Sequence, residues 1–355
     1  YEMLRSLVGS EMCIRDSTIE NEEGEKKIKV GVIVVAVGAE SFKPIGMYNY
    51  GNSDKIMTLL ELEEAMKRGT VNFGKNIVFI QCVGSREPEG RTYCSRVCCT
   101  TSIKQALKLK ESDPERRIFI LYRDIVTPGK GYEDYYRRAL REGIMFIRYQ
   151  ENQKPKVKLS NGGRPVVEVY DTLLQRNVEI EADNVALATP LVPIENSEEL
   201  SSMLKVPLSQ HGFFLEAHLK LRPLDFATDG IFLCGTASSP CTIPEAIDQA
   251  EGAASRASTI LAKGQVETVG ITSVVDEKLC IGCGRCAAVC PYNAIQMITC
   301  EEELGEIKIQ TRKARVIEAV CKGCGTCVSE CGTNAINQKR FERQQIMKMI
   351  ESAIH

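Results

Sequence analysis

The chain has 355 residues, a formal net charge of −2 and sixteen cysteines. That length exceeds a single core of ordinary size and points to two or three domains. The mixed charge gives no sign of a nucleic-acid partner, no apolar run reaches the roughly 18 residues of a membrane helix, and no signal peptide is expected. The cysteines fall in close C-x2-C groups, which favours thiolate–metal chemistry in a reducing, cytoplasmic compartment over a disulfide framework.

Residues 1–17, YEMLRSLVGSEMCIRDS, resemble translated sequencing-adapter text and are set aside from the fold argument, with Cys13 among them. Ile28–Val37 is a continuous β-branched run and predicts one buried strand of a parallel sheet. It ends at Gly38, where a glycine permits close approach of a ligand or simply turns the chain. With Pro44 following, the strand end resembles the A-T-G-x-x-P exit of flavoproteins with two dinucleotide-binding domains, Val37 standing where threonine is usual. Thr58–Lys67 predicts an amphipathic helix, and Lys75–Val83 a second buried strand. A dinucleotide site would place G-x-G-x-x-G after that strand. Here the chain has Gly84-Ser85-Arg86 and then YCSRVCCTTSIKQALKLK. Cys82, Cys94, Cys98 and Cys99 converge at the strand end and helix start. A helix N-terminus favours negative charge, so lowered thiol pKa values and a net-anionic cluster are expected. These four are read as ligands of a [4Fe–4S] cluster; a redox disulfide, a zinc site or inert buried thiols compete on spacing alone.

Arg117–Tyr122 and Gly143–Arg148 predict further strands around a helix over Tyr132–Arg141. Lys154–Lys158, Pro165–Tyr170 and Val178–Ile180 predict a meander about the turn Asn161-Gly162-Gly163. Val185–Ala188 leads to a second sheet-to-loop exit at Thr189–Pro193. Gly230–Cys234 is a short strand running into Gly235 and Thr236. A helix follows, with Thr242 and Glu245 as a capping box, Pro244 in its first turn and a face of Ala246, Ala250, Ala253, Ala254 and Ala257. Cys234 and Cys241 are expected as buried small residues. Gln265–Val274 is a linker and Lys339–Ile350 a docking or packing helix; His211, His218 and His355 are given no role.

Between those two stretches lies CIGCGRCAAVCPYNAI and, about thirty residues on, CKGCGTCVSECGTNAI. Each half carries C-x2-C-x2-C-x3-C, the ligand run of a bacterial-type two-cluster ferredoxin. Four thiolates per half, paired glycines (Gly282, Gly284, Gly323, Gly325) and the internal repeat favour clusters over two structural zinc sites. In such repeats the fourth cysteine crosses over. Cys280, Cys283, Cys286 and Cys331 are therefore expected to hold one [4Fe–4S] cluster, and Cys321, Cys324, Cys327 and Cys290 the other. Gly332 stands where Pro291 follows Cys290, a small departure from the pattern, and Cys300 has no partner in it.

FIQCVGSR, YCSRVCC, IKQA and GKGYEDYYRRA, in that order, resemble the A subunit of heterodisulfide reductases, from about Val30 to the C-terminus. The resemblance implies an α/β two-dinucleotide-domain flavoprotein fold (thioredoxin-reductase-like, incomplete) followed by an α+β two-[4Fe–4S] ferredoxin domain. Its expected divisions are 18–72 (partial FAD-binding domain), 73–188 (NAD-domain-like, with the cysteine set), 189–264 (returning FAD part), 265–338 (ferredoxin) and 339–355. It implies FAD as cofactor, with Gly38, Gly235, Thr236 and the helix start Thr242, Ile243 and Pro244 against it. Gly235-Thr236 replaces the usual Gly-Asp, which puts a carboxylate contact in doubt. It implies a cluster on Cys82, Cys94, Cys98 and Cys99 beside the flavin, and Lys104 near the reactive edge of the isoalloxazine; a solvated helix lysine is the alternative reading of Lys104.

The implied function is flavin-based electron bifurcation in an oxidoreductase complex. Its partners would be a hydrogenase- or dehydrogenase-type donor, ferredoxin and other heterodisulfide reductase-type subunits, within a possible homodimer. The absent G-x-G-x-x-G suggests a C-terminal piece of a longer protein, inactive alone. The alternatives are a ferredoxin-like relay with a vestigial flavin fold, or a pyridine-nucleotide reductase with an appended ferredoxin.

Overall fold

A computed structural model of the chain describes residues 3–8, 15–21, 24–69, 73–263, 271–304, 307–318 and 320–354. The chain divides into two compact units. One comprises Tyr1–Ala36, Glu195–Ser238 and Ile247–His355, and the other Val37–Ile194 with Ser239–Ala246.

In the first unit β1 (Met3–Val8), β2 (Arg15–Asn21) and β3 (Gly24–Val30) form an antiparallel sheet in that order. Part of the stretch set aside as adapter-like is thus a paired strand, while Cys13 lies outside the described residues. The single strand expected over Ile28–Val37 is broken. Its first part ends β3 at Val30, and its second is β4 (Ile33–Val35), which pairs in parallel with Ile231–Leu233. The break falls at Gly31, whose backbone passes so near the helix carrying Leu261 that a Cβ there would lie 2.8 Å from Leu261 Cδ2. Hydrophobic run length carries no information about that approach.

The second unit begins with β5 (Glu40–Ser41), β6 (Ile56–Thr58), α1 (Leu59–Arg68) and β7 (Asn76–Ile80). Then come α2 (Cys98–Ser112), β8 (Arg117–Tyr122), α3 (Tyr132–Arg141) and β9 (Met145–Arg148). The meander β10 (Lys156–Leu159), β11 (Pro165–Asp171) and β12 (Arg176–Glu181) leads to β13 (Asn184–Leu187) and β14 (Leu191–Val192). Five strands make a parallel sheet in the order β6-β13-β7-β8-β9. Side chains alternate across it, as the period of two demands. Ile77, Phe79, Ile118, Ile120 and Ala186 face a core shared with α1, α2 and α3. Val78, Ile80, Leu121, Val185 and Leu187 face the meander, through Val157, Val167, Val169 and Ile180. Both faces are therefore buried, which is why these strands read as unbroken apolar runs. Thr58 caps α1 in a capping box with Glu61: the Thr58 N–H donates to Glu61 Oε2 at 2.7 Å and the Glu61 N–H to Thr58 Oγ1 at 3.3 Å. The two sheet exits seen in the sequence meet, since β5 and β14 are antiparallel neighbours and the Phe42 N–H donates to Pro190 O at 2.9 Å.

The first unit resumes with α4 (Ser197–Leu204), β15 (Ile231–Leu233) and the body of α5 (Ile243–Lys263). Ala253 and Ala257 of α5 pack on Phe232 and Cys234. The ferredoxin-type part follows as β16 (Ser273–Val275), α6 (Arg285–Ala288), β17 (Ile295–Leu304), β18 (Ile307–Val316), α7 (Thr326–Ser329) and β19 (Ile336–Gln338), and α8 (Arg343–Ile354) ends the chain. β16 pairs with β19, and β17 with β18 over ten residues in continuous register from Ile295↔Val316 to Leu304↔Ile307. No strand is predicted over 295–316 from the sequence, because the two cysteine runs dominate that stretch. Of the linker expected at Gln265–Val274, residues 265–270 lie outside the described residues.

Candidate iron–sulfur and flavin sites

The two halves of the ferredoxin-type part repeat in backbone as well as in sequence. Gly282 and Gly323 sit at equivalent places with positive φ (68° and 63°); a Cβ would come 2.2 Å from Arg312 O at the one and 2.3 Å from Ile271 O at the other. Each glycine lets its cysteine loop close against a neighbouring strand or chain segment, an approach any side chain would block. Cys290, Cys321, Cys324 and Cys327 line one cavity, so the fourth cysteine of the first run joins the first three of the second. Cys286 and Cys327 are buried at the centre of a small core, with Cys280, Cys290 and Cys331 packed at its edge. Backbone N–H groups point at sulfur: Ala294 to Cys290 (3.3 Å), Ser273 to Cys321 (3.4 Å) and Ala314 to Cys280 (3.5 Å). The Ser273 hydroxyl lies 3.3 Å from Cys327 Sγ. Such donors stabilise thiolate and set cluster potential. Burial pushes the Cys286 and Cys327 thiols up. At Cys331 burial acts the same way, yet the Thr333 hydroxyl and the N–H groups of Ala335, Thr333 and Ile336 outweigh it and bring the thiol down. The donor set, the crossed quartet and the shared cavity fit a pair of [4Fe–4S] clusters.

The second unit gathers Cys82, Cys94, Cys98 and Cys99 at the carboxyl end of β7 and the start of α2. Cys82 adopts a left-handed conformation, φ 59°, rare for a residue with a side chain. The four thiols are close enough that Cys82, Cys94 and Cys99 each act on the titration of Cys98. The helix start predicts lowered thiol pKa values, and the structure reverses this. Burial pushes Cys98 up strongly, Cys99 to about 11, and Cys82 up as well, although Arg123 and Arg86 pull Cys82 the other way. Desolvation of a thiolate outweighs a helix dipole whose effect reaches about 2 kcal/mol at most. Cys94 Sγ accepts from the Arg96 N–H at 3.3 Å, while the Cys98 thiol meets Thr189 O at 3.5 Å and the Cys99 thiol Asp124 O at 3.8 Å. Next to these thiols in sequence, Gln81 has both side-chain polar atoms buried without a partner, as have the hydroxyls of Thr100 and Ser102. Four thiols that act on one another, with two arginines acting on Cys82, fit a net-anionic inorganic core whose charge the arginines would offset. Among the described residues no three His, Cys, Asp or Glu side chains stand at the spacing of a single metal ion.

The residues the sequence assigns to FAD fall in both units and are described within each. In the first, β15 delivers Gly235 (φ 68°), with open space where its Cβ would be, and Thr236 into a short 3-10 turn; the Gly235 N–H donates to Gln249 Oε1 at 2.8 Å. In the second, Gly38 (φ 81°) lies in the irregular segment just ahead of β5. Thr242 precedes Ile243 and Pro244, its N–H and hydroxyl meeting Glu245 Oε2 at 2.8 and 3.0 Å, and Ile243 is exposed. Glu245 is also ion-paired with Arg96, which lies between Cys94 and Cys98. That contact, invisible in sequence, ties the cysteine set to the start of α5. Lys104 is brought to α1 instead, its Nζ 3.0 Å from Glu63. Cys234 and Cys241 are buried, and Cys300 lies on β17 opposite Thr311.

The 4Fe-4S binding domain family matches residues 273–296 and 314–337. The chain is accordingly an iron–sulfur protein whose C-terminal part is a two-cluster, ferredoxin-type domain. It is 43% identical over 292 residues to the iron–sulfur A subunit of the CoB–CoM heterodisulfide reductase of Methanocaldococcus jannaschii, covering 77% of this chain and 44% of that one. To the A subunit of the H(2):CoB-CoM heterodisulfide,ferredoxin reductase of Methanothermobacter thermautotrophicus it is 39% identical over 369 residues, covering 99% and 54%. The thioredoxin reductase of T. acidophilum is similar in structure at 15% identity and a TM-score of 0.47, over 74% of each chain. Over the stretch it spans, the chain belongs to the family of heterodisulfide reductase A subunits. It spans about half the length of the curated relatives it matches, 44% of the one and 54% of the other. Among the described residues no helix is long and apolar enough to cross a membrane.

Proposed function

We propose that the chain is an electron-transferring part of a heterodisulfide reductase-type oxidoreductase, relaying single electrons through three cysteine quartets to and from a flavin. The observation that carries this reading is the Arg96–Glu245 pair. It joins the loop of Cys94 and Cys98 to the start of α5, the segment whose Thr242, Ile243 and Pro244 are assigned to the isoalloxazine. When bound, FAD supplies the exchange between two-electron and one-electron chemistry, and the clusters supply the one-electron steps. Cys82, Cys94, Cys98 and Cys99 hold one core, with Arg86 and Arg123 offsetting its charge. The two crossed quartets hold the others, with Ala294, Ser273 and Ala314 N–H groups on their sulfurs. The N-terminal turn of α5 favours negative charge near it. Lys104 can serve the flavin only if its pair with Glu63 opens.

The partners of this reading are a hydrogenase- or dehydrogenase-type donor, a ferredoxin and further heterodisulfide reductase-type subunits, in a cytoplasmic complex that can include a second copy of the chain. Stopped-flow mixing of the anaerobically reconstituted, chemically reduced chain with oxidised ferredoxin tests it. Electron transfer is expected, and its loss is expected when Cys321 and Cys324 are changed to serine. A chain that loads iron and sulfide yet passes no electrons refutes the relay. One observation favours the vestigial-flavin alternative: the Gly235 N–H already has Gln249 as its partner. Flavin released on denaturing the holo-protein excludes that alternative, and its absence there supports it.

A further inference from the structure

The repeat in the ferredoxin-type domain is broken at one position. Ile281 lies between Cys280 and Cys283 and is 72% exposed. Its counterpart between Cys321 and Cys324 is Lys322, whose side chain lines the cavity of Cys290, Cys321, Cys324 and Cys327. Lys322 Nζ stands 2.5 Å from Asp229 Oδ2, just ahead of β15, and the two side chains are only 23% and 29% exposed. The ion pairs continue inward. Asp229 lies 3.8 Å from Arg222 and Arg222 lies 3.3 Å from Asp225, while Asp225, 6% exposed, meets Arg256 of α5 at 2.9 Å. One cysteine loop is therefore fastened to the β15–α5 part of its own unit by a partly buried network, and the other is not fastened at this position. The first loop has a different anchor, Lys313, whose Nζ donates to Glu277 O and Cys280 O at 2.8 Å each.

We propose that Lys322 and Asp229 are positioning residues that seat the cluster of Cys290, Cys321, Cys324 and Cys327 against the β15–α5 part as the inner of the two, and that together they set its potential. The proposal rests on the relay reading above. A [4Fe–4S] core held by four thiolates is net anionic and gains negative charge on reduction, so a nearby cation favours the reduced form and a nearby anion the oxidised form. As a pair, Lys322 and Asp229 largely cancel. Removing the lysine charge leaves Asp229 facing the more distant Arg222, makes the site one charge more negative and lowers the potential. Removing the aspartate charge leaves an uncompensated ammonium and raises it. Both substitutions break the same contact, so a tie that served structure alone would move the potential the same way in each.

Anaerobic redox titration of the full chain, followed by electron paramagnetic resonance, tests this with Lys322→Gln, Lys322→Arg and Asp229→Asn. One of the two ferredoxin-type signals is expected to shift down in Lys322→Gln, up in Asp229→Asn and to return to its wild-type position in Lys322→Arg, with the other signal unmoved. Shifts of one sign in both charge-removing variants, equal movement of both signals, or no movement overturn the proposal. If Lys322→Gln loads less iron, Asp229→Asn decides alone: an upward shift supports the pairing role, and its absence overturns it. A wild-type chain without iron at these cysteines overturns the relay reading as well, and iron analysis of the unmutated protein distinguishes that failure from the others.

Discussion

Changing Cys98 and Cys99 together to alanine removes two of the four thiols at the end of β7. With three quartets each holding a four-iron core, the anaerobically reconstituted chain should contain about 12 iron, and the double variant about 8. The substitution sits at the edge of the helix-side core, where Cys98 packs beside buried apolar residues and Cys99 is 6% exposed. Losing two groups of roughly methyl size there costs about 1–2 kcal/mol in all. The apo fold should therefore persist, and a thermal melt by circular dichroism checks that the iron deficit does not come from unfolding. Iron and acid-labile sulfide analysis on the two proteins side by side is the assay. Iron unchanged by the double substitution, or about 8 in the unmutated chain, refutes a cluster at Cys82, Cys94, Cys98 and Cys99.

Three further outcomes are expected. Gly282→Ala should lose about four iron, because its Cβ would come 2.2 Å from Arg312 O and the loop carrying Cys280 and Cys283 must retreat; iron analysis at wild-type level would contradict this. Thr58→Ala should destabilise the fold by about 1 kcal/mol in urea titration through loss of the α1 cap. Burial opposes ionisation of the partner, Glu61, but the Thr58 N–H and the hydroxyls of Tyr50 and Thr58 outweigh it and hold the carboxyl below its ordinary range. A depressed folded pKa gives stability that is present above the unfolded value and lost as pH falls through the folded one, so an acid titration should show the wild-type advantage over Thr58→Ala shrinking in the carboxylate range. Lys104→Ala should shift thermal stability by less than about 1 kcal/mol, since its pair with Glu63 is partly exposed. A larger loss would make Lys104 chiefly a structural residue.

Chemistry that is local in the chain was legible before any coordinates. The two C-x2-C-x2-C-x3-C runs carry their cysteines within a few residues of one another, so spacing alone points to a 4Fe-4S binding domain, which the family match over 273–296 and 314–337 shows. The sheet strands were legible for a similar reason, because burial on both faces writes itself as an apolar run. Tertiary structure alone decided whatever depends on distant segments meeting. A run that reads as one strand is broken at Gly31, where Leu261, far along the chain, comes close. Burial pushes the Cys98 and Cys99 thiols up, against the helix dipole that the sequence displays, because burial is a property of the fold. The pairings of Arg96 with Glu245 and of Lys322 with Asp229 join residues 149 and 93 positions apart. No spacing rule anticipates charges that are brought together only when the chain has folded around them.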